Sequence, residues 1–331
     1  MNANTFGSTF QITTYGESHG KAVGVRINGC PKDIAISLDM IQEELNRRKP
    51  GTNKLTSPRK EPDKLEVISG IINGKSTGGT IQLQVKNIDT KSKDYDEILH
   101  KPRPGHADLT YYQKYGQIPV GGGRASGRET IGRVIAGSIA KQILQTKGIT
   151  IHGQITEIHG KKTDFENEII KAKKKQDSVG GIIQIEIIGM PPGIGEPVFE
   201  KLDANIAKAL MSIGGVKGIE IGDGFQAAKM KGSEHNDTIV YEQGKLKTKT
   251  NHAGGIIGGI SNGMPIIIRI AVKPTSSIGL PQETIDLGTM EQTSLTIQGR
   301  HDPCLCLRIV PVAESMVALV LIGYLIGLLS K

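Results

Sequence analysis

Several short segments of the chain gather residue types that exchange protons or hold anions. Gly16-Glu17-Ser18-His19-Gly20 sets a histidine behind a serine and between glycines. Such an imidazole can approach a ligand closely and trade a proton near neutral pH; the same letters also suit a turn whose polar groups face water. Arg103-Pro104-Gly105-His106-Ala107-Asp108 presents a second histidine from a stiffened loop. Its Asp108 either bonds the ring or caps a helix beginning near Leu109. Gly121-Gly122-Gly123-Arg124-Ala125-Ser126-Gly127-Arg128 enters a helix through a glycine run. Open N–H groups beside two guanidiniums make an anion cradle, or else a flexible loop with solvated arginines. Lys273-Pro274-Thr275-Ser276-Ser277 offers an ammonium and hydroxyls, suited to a phosphate, a heterocycle edge or a plain hydrophilic turn. Gly299-Arg300-His301-Asp302-Pro303-Cys304 adds an anion-binding guanidinium and a carboxylate able to take a proton.

The groups absent narrow the chemistry. His301, Asp302, Cys304 and Cys306 lack a second Cys or His pair at ligand spacing, so no metal is expected. There is no Walker A motif and no G-x-G-x-x-G after a strand, and no serine-hydrolase elbow is expected. Several arginines, two loop histidines and one acid describe a site for phosphate-bearing ligands.

Bulk properties agree. Apolar residues make up 37% and charged residues 22% of 331, the range of soluble globular proteins. A net charge of +8 points to an anionic partner. Aromatics of 4% without Trp leave few stacking platforms, so a multiply charged metabolite fits at least as well as nucleic acid, and the charge alone does not decide. Cys30, Cys304 and Cys306 are too few for a disulfide framework. Met1 to Phe10 lacks the apolar core of a secretory signal. The apolar segment Val317–Leu329 falls short of the roughly 20 residues of a bilayer span. The expectation is a cytoplasmic protein without a membrane segment, Val317–Leu329 being a buried helix or a subunit contact.

The elements that must position these groups are mixed. Phe10–Tyr15 and Ala22–Ile27 read as strands joined by the Gly16–Gly20 turn. Ile81, Leu83 and Val85 alternate with polar residues as in a half-buried antiparallel strand, while Ile182–Ile188 and Ile266–Val272 read as more deeply buried strands. Ser37 caps a predicted helix over Leu38–Lys49 that ends at Pro50-Gly51. Further helices are predicted from about Arg128 to Thr146 and from about Val198 to Met211. Val25 to Ile34 lines up with Ile185 to Ile194, Gly29 and Pro31 falling on Gly189 and Pro191. A helix is predicted after each copy, an echo that suggests two related halves. Alternating strands favour an α+β fold over a doubly wound parallel sheet.

Three of these regions closely resemble the signatures of the chorismate synthase family: Gly16-Glu17-Ser18-His19-Gly20 running to Pro31, Gly123-Arg124-Ala125-Ser126-Gly127-Arg128 running to Ile139, and Arg300-His301-Asp302-Pro303-Cys304 running to Met316. Arg103–Asp108, Asp177–Gly181, Gly195–Phe199, Gly218–Phe225, Asn251–Gly255 and Lys273–Ser277 also resemble the family, in its order. The likeness covers nearly the whole chain. It implies one domain over 1–331, with helices sandwiched between two antiparallel β-sheets, assembled as a homotetramer. It implies reduced FMN as cofactor and 5-enolpyruvylshikimate 3-phosphate as substrate, phosphate leaving by 1,4-trans elimination with loss of a ring hydrogen and no net redox change. No reductase domain is visible, so a separate flavin reductase is the expected partner. By the same resemblance, His19 falls on the acid that protonates the departing phosphate. His106 falls on the histidine that helps protonate the reduced flavin, and Asp302 on the acid that takes the ring proton with it. Arg124, Ala125, Ser126, Gly214, Gly215, Gly258, Lys273, Pro274, Thr275, Ser276, Ser277 and Arg300 fall on flavin-contacting positions. Ser18, Arg48, Lys54 and Arg128 fall on substrate-contacting ones. Ala125 stands where many relatives have serine, and Lys54 where some have arginine, replacing a planar fork with a point charge. An oxidoreductase using NAD(P)H would need a hydride-donor site that the sequence does not show.

Overall fold

The computed structural model describes residues 3–51, 54–57, 61–88, 99–297 and 301–329. Its N-terminal half is built on strands whose apolar residues alternate. In chain order these elements are β1 (Thr5–Phe6), β2 (Gln11–Gly16), β3 (Ala22–Asn28), α1 (Leu38–Arg48), β4 (Leu65–Ser69), the small hairpin β5 (Ile71–Ile72) and β6 (Lys75–Ser76), β7 (Ile81–Lys86), α2 (Asp108–Tyr115) and α3 (Thr130–Gln145). The first sheet runs β1-β2-β3-β7-β4 and is antiparallel throughout. Ile81, Leu83 and Val85 lie opposite Ile27, Val25 and Val23, and all six are buried. Period-two alternation thus gives the sheet one apolar face.

The second half continues with β8 (Thr150–Ile158), α4 (Phe165–Lys174), β9 (Gly181–Ile188), α5 (Leu202–Met211), β10 (Val216–Ile221), α6 (Gly232–His235), β11 (Ile239–Glu242), β12 (Lys245–Thr248), β13 (Ile256–Ile257), β14 (Ile260–Ser261), β15 (Ile266–Val272), β16 (Gln282–Asp286), β17 (Glu291–Leu295) and α7 (Cys306–Leu329). The second large sheet runs β10-β15-β9-β8, again antiparallel. Its centre is isoleucine-rich: Ile183, Ile185, Ile187, Ile266, Ile268 and Ile270 are fully buried. Each such side chain contributes roughly 1.5–3 kcal/mol relative to exposure. The fold is therefore mixed helix and strand with several antiparallel sheets, as expected.

Four helices carry the core. α3 packs on β2, β3 and β7, α7 on β8 and β9, and α5 on β10. α3 also lies along α7, and α1 rests on both. The α3–α7 approach depends on Gly137, where a Cβ would stand 2.2 Å from the Ser315 Cβ. Buried Glu314 ties the group together. Its carboxylate accepts from Gly153 N of β8 at 2.8 Å, from Lys141 Nζ of α3 at 2.8 Å, and from Arg47 Nη1 and Nη2 of α1 at 2.7 and 3.0 Å.

Two expectations change. The predicted helix from Val198 begins only at Leu202. Pro197 precedes it, Glu196 N bonds Glu200 O, and Phe199 is 87% exposed, so this stretch is a turn rather than a buried helical face. The last helix is 24 residues, not the 13-residue segment read from Val317. Arg308, Pro311 and Glu314 interrupt the apolar pattern but continue the helix, because the two charges find partners. By length and composition Cys306–Gly327 could cross a bilayer, yet 83% of its most apolar window is buried within the fold. A helix apolar on all sides is a core helix when the protein surrounds it.

The paired turns repeat in detail. Ser76 Oγ accepts from Ile34 N at 2.9 Å and donates to Pro31 O at 2.6 Å. Ser261 Oγ does the same with Ile194 N and Pro191 O, at 2.9 and 2.6 Å.

Candidate active site

The first histidine sits where β2 hands over to β3. The Ser18 hydroxyl donates to Gly121 O at 3.1 Å and lies 3.0 Å from His19 Nδ1. With its one hydrogen spent on the carbonyl, the hydroxyl accepts from the ring. Nδ1 therefore carries a hydrogen, and proton exchange falls to Nε2. The three glycines 121–123 all have positive φ, and a Cβ on Gly121 would stand 2.0 Å from His19 Cε1. Only glycine lets this loop lie against the imidazole. Gly16–Gly20 does spell G-x-S-x-G, against the expectation that no such elbow exists. Ser18 is buried, joins two antiparallel strands rather than a strand and a helix, and already donates its hydrogen, so it is no nucleophile.

From this loop a line of hydrogen bonds and ion pairs runs to Asp302. Asn87, just after β7, donates to Glu17 O and Gly20 O at 2.9 and 2.7 Å and accepts from Arg128 Nε at 2.7 Å. Arg128 Nη1 is 3.2 Å from Asp63 Oδ1 and 3.4 Å from Glu61 Oε1. The other Asp63 oxygen pairs with Arg48. Arg308 Nε donates to Arg48 O at 3.0 Å, and Arg308 Nη1 pairs with Asp302 Oδ2. Ser57 N donates to Asp302 Oδ1 at 2.8 Å. Arg48 is 1% exposed. Burial brings its pKa down to about 10, Asp63 opposing and the charges of Arg308 and Arg128 adding to the fall. It remains a cation at neutral pH. Among the described residues, Arg48 Nε and Arg128 Nη2 are buried donors with no acceptor. Such donors are costly unless something accepts from them.

The second histidine belongs to an adjoining group. His106 Nδ1 donates to Pro104 O at 3.2 Å, which leaves Nε2 to accept from the Ser277 hydroxyl at 2.7 Å. Burial, with Arg103 close by, lowers its pKa to about 4, so the ring is neutral at pH 7. Asp108 does not bond the ring. It forms a fork with Arg103, at 2.7 Å to Nε and 2.9 Å to Nη2, and starts α2. Lys273 Nζ and Ser276 Oγ both donate to Gly105 O, at 2.5 and 2.8 Å, clamping the His106 loop onto the end of β15. Lys273 N bonds Gly215 O at 2.9 Å, which brings Gly214 and Gly215 here. Thr275 Oγ1 is buried without a partner among the described residues. Ser178 Oγ donates to Thr275 O at 2.6 Å and Val179 N to Pro303 O at 2.9 Å, so this loop lies near the Asp302 segment, where burial lowers the His301 pKa and the charge of Arg103 lowers it further.

Other expected site residues are placed less centrally. Arg124 is committed to β2, Nη1 donating to Gly16 O at 2.7 Å and Nη2 to Thr14 Oγ1 at 2.6 Å. Ala125 follows it, and Ser126 Oγ accepts from Arg128 N at 3.4 Å. Lys54 is exposed, its carbonyl accepting from Lys173 Nζ of α4 at 2.8 Å. Gly258 turns the β13–β14 hairpin, beside the start of α5 where Leu202 N bonds Gly259 O. Gly215 lies past the other end of α5, roughly 15 Å away at 1.5 Å per residue. Arg300 lies outside the described residues. Sequence reasoning missed Asn87, Glu61, Asp63 and Arg308. The one local signal is the acidic alternation Glu61-Pro62-Asp63 in a basic stretch.

Comparison with known proteins identifies the family. Residues 10–326 match the chorismate synthase family. Chorismate synthase of Methanococcoides burtonii is 50% identical, the alignment covering 98% of this chain and 96% of that one. Chorismate synthase of Methanothermobacter thermautotrophicus is 47% identical over 98% of this chain and 94% of its own. A crystal structure of chorismate synthase superposes with a TM-score of 0.77 at 27% identity, covering 98% of this chain and 94% of that chain. The chain belongs to the chorismate synthase family.

Proposed function

We propose that this enzyme, a carbon–oxygen lyase of the shikimate pathway, converts 5-enolpyruvylshikimate 3-phosphate to chorismate and phosphate with the help of reduced FMN. The observation that carries the reading is the line of hydrogen bonds and ion pairs from the His19 loop through Arg128 and Arg48 to Asp302, with two buried guanidinium nitrogens along it unmatched among the described residues. A substrate with one phosphate and two carboxylates supplies the missing acceptors. The ring C–H bond and the C–O bond to phosphate break, and a new ring double bond forms. Asp302 takes the ring proton, and His19, through Nε2, gives a proton to the departing phosphate. Arg128, Arg48, Ser18 and Lys54 orient the anion. Gly214, Gly215 and Lys273–Ser277, together with Arg124, Ala125, Ser126 and Arg300, would hold the flavin. The unpartnered Thr275 hydroxyl and neutral His106 fit a polar heterocycle there. Reduced FMN supplies electron density transiently and regains it, so no net oxidation occurs. Gly258, beyond the far end of α5, would join such a site from a neighbouring subunit, in line with a homotetramer.

The rest of the reading follows from the same likeness. The chain is one domain over 1–331 in which helices lie between two antiparallel sheets. The matching serine bridges of Ser76 and Ser261 support descent of the halves from one duplicated unit. The enzyme is cytoplasmic, binds neither nucleic acid nor membrane, and takes its reduced flavin from a separate reductase. The test is anaerobic incubation with 5-enolpyruvylshikimate 3-phosphate and chemically reduced FMN, following chorismate and phosphate together. Equal release, absent with oxidised FMN, is expected. Phosphate without chorismate would mean a phosphatase and sink the proposal.

A further inference from the structure

We propose that Arg308 is a positioning residue for the elimination, fixing the Asp302 carboxylate by tying it to the end of α1 that carries Arg48. The inference rests on the reading of Asp302 as the proton acceptor. Arg308 stands in the first turn of α7, where Arg308 N and Ile309 N both bond Leu305 O, at 3.0 Å each. Two nitrogens of its guanidinium hold separate partners. Nη1 holds Asp302 Oδ2 and Nε holds Arg48 O at 3.0 Å. The opposite oxygen, Oδ1, is held by Ser57 N at 2.8 Å. Among the described residues each carboxylate oxygen thus has one donor, from different segments, and the two together hold the group in one orientation. Each also keeps a further lone-pair direction for an incoming proton.

This arrangement is more than a surface ion pair. The Asp302 side chain is 8% exposed and that of Arg308 19%, so the pair sits at the edge of solvent rather than in it. Lysine could supply the charge but not the two bonds at fixed angle that a guanidinium provides. A carboxylate freed to rotate would spend little time aimed at the ring hydrogen, and a misplacement of about 1 Å costs on the order of 100-fold in rate. The effect falls on the chemical step, because Arg308 contacts Asp302 and a carbonyl, not the anion-binding tips of Arg48 or Arg128.

The experiment compares Arg308→Gln, Arg308→Lys, Asp302→Asn and the double variant Asp302→Asn/Arg308→Gln by anaerobic single turnover. Substrate is used with either hydrogen or deuterium on the ring carbon that loses its hydrogen, and reduced-FMN binding is titrated separately. Arg308→Gln should slow turnover roughly 100-fold and raise the deuterium effect, with flavin binding and KM changed by less than about threefold. Arg308→Lys, which keeps the fold if the glutamine variant does not, should fall between. In the Asp302→Asn background, Arg308→Gln should slow the reaction no further, since it acts through a group already removed. Equal slowing in both backgrounds marks a general structural role and overturns the proposal, as does wild-type turnover in Arg308→Gln. Wild-type turnover in Asp302→Asn instead refutes the reading of Asp302, and the proposal falls with it.

Discussion

Gly121→Ala should disable the enzyme while leaving it folded. A Cβ built on Gly121 stands 2.0 Å from His19 Cε1 and 2.2 Å from Nδ1. Ordinary contact begins near 3.4 Å, so the imidazole must retreat by about 1.4 Å or the loop must move as far. The ring cannot retreat and keep its bond to Ser18, which is itself held to the Gly121 carbonyl. A displacement beyond 1 Å of the group that protonates the leaving phosphate costs on the order of 100-fold or more. The substitution also carries a backbone cost of about 1–2 kcal/mol, because φ at Gly121 is +60°. Gly122→Ala supplies the control. Its φ is +80°, so the backbone cost is comparable, yet its nearest neighbour would be the Ser126 Cβ at an ordinary 3.8 Å. The assay measures chorismate formation under anaerobic conditions for both variants, with urea midpoints to match stability. We expect Gly121→Ala to fall about 100-fold below Gly122→Ala. Equal activities would refute the argument that this glycine exists to admit the His19 ring.

Two further predictions concern stability. His106 has a pKa near 4 in the fold against 6.5 outside it, so the unfolded chain binds more protons and stability is lost as pH falls from 6.5 towards 4. At pH 5 the linkage arithmetic gives about 2 kcal/mol, trimmed to about 1–1.5 by partial solvent access; between pH 7.5 and 5, at fixed protein concentration, wild type should lose that much more than His106→Gln, and equal losses would count against a buried neutral ring. Glu314→Ala leaves Arg47 and Lys141 with Glu44 as their remaining carboxylate and Gly153 N without its acceptor, which should cost about 3 kcal/mol, the low end for a broken buried pair because Glu44 stays and Arg47 reaches water. Burial alone would raise the Glu314 pKa, but the bonds from Arg47 and Lys141 outweigh it and hold the carboxyl below its usual range. A loss under about 1 kcal/mol in urea would mean that the four-element junction is held by packing alone.

The parts of the fold that announce themselves in the sequence are those whose cause is local. Apolar–polar alternation in β7 and the apolar run of β15 report sheet positions directly, and Ser37 with Pro50 brackets α1 because capping and helix breaking act within a turn. The first half of α7 is hidden for the opposite reason. Arg308 and Glu314 look like surface charges and Pro311 like a stop, until Asp302, Arg47 and Lys141 arrive from elsewhere to pair the charges. His19 and His106 are visible as loop histidines, but not the carbonyls of Gly121 and Pro104 that fix their tautomers, nor Asn87, which joins the His19 loop to Arg128. A neutral amide after a strand carries no signal until its three partners are in place.

The line between His19 and Asp302 also explains why the proposed acid and base do not cancel each other. A histidine and an aspartate in contact would share a proton, and neither would be ready for a substrate. Here the groups between them are guanidiniums and paired carboxylates. Arg48, even with its pKa brought down to about 10 by burial, does not release a proton near neutrality, and an ordinary arginine does so still less. Asp63 is held between Arg48 and Arg128. The network therefore fixes geometry and gathers positive charge for a polyanion without offering a route for protons. Under the proposed roles, a proton taken up by Asp302 has no relay back to His19 along these described groups at neutral pH. For an elimination that must remove a proton at one carbon and protonate a leaving group at another, such separation keeps acid and base distinct, and arginine, the side chain least willing to give up its proton, is suited to it.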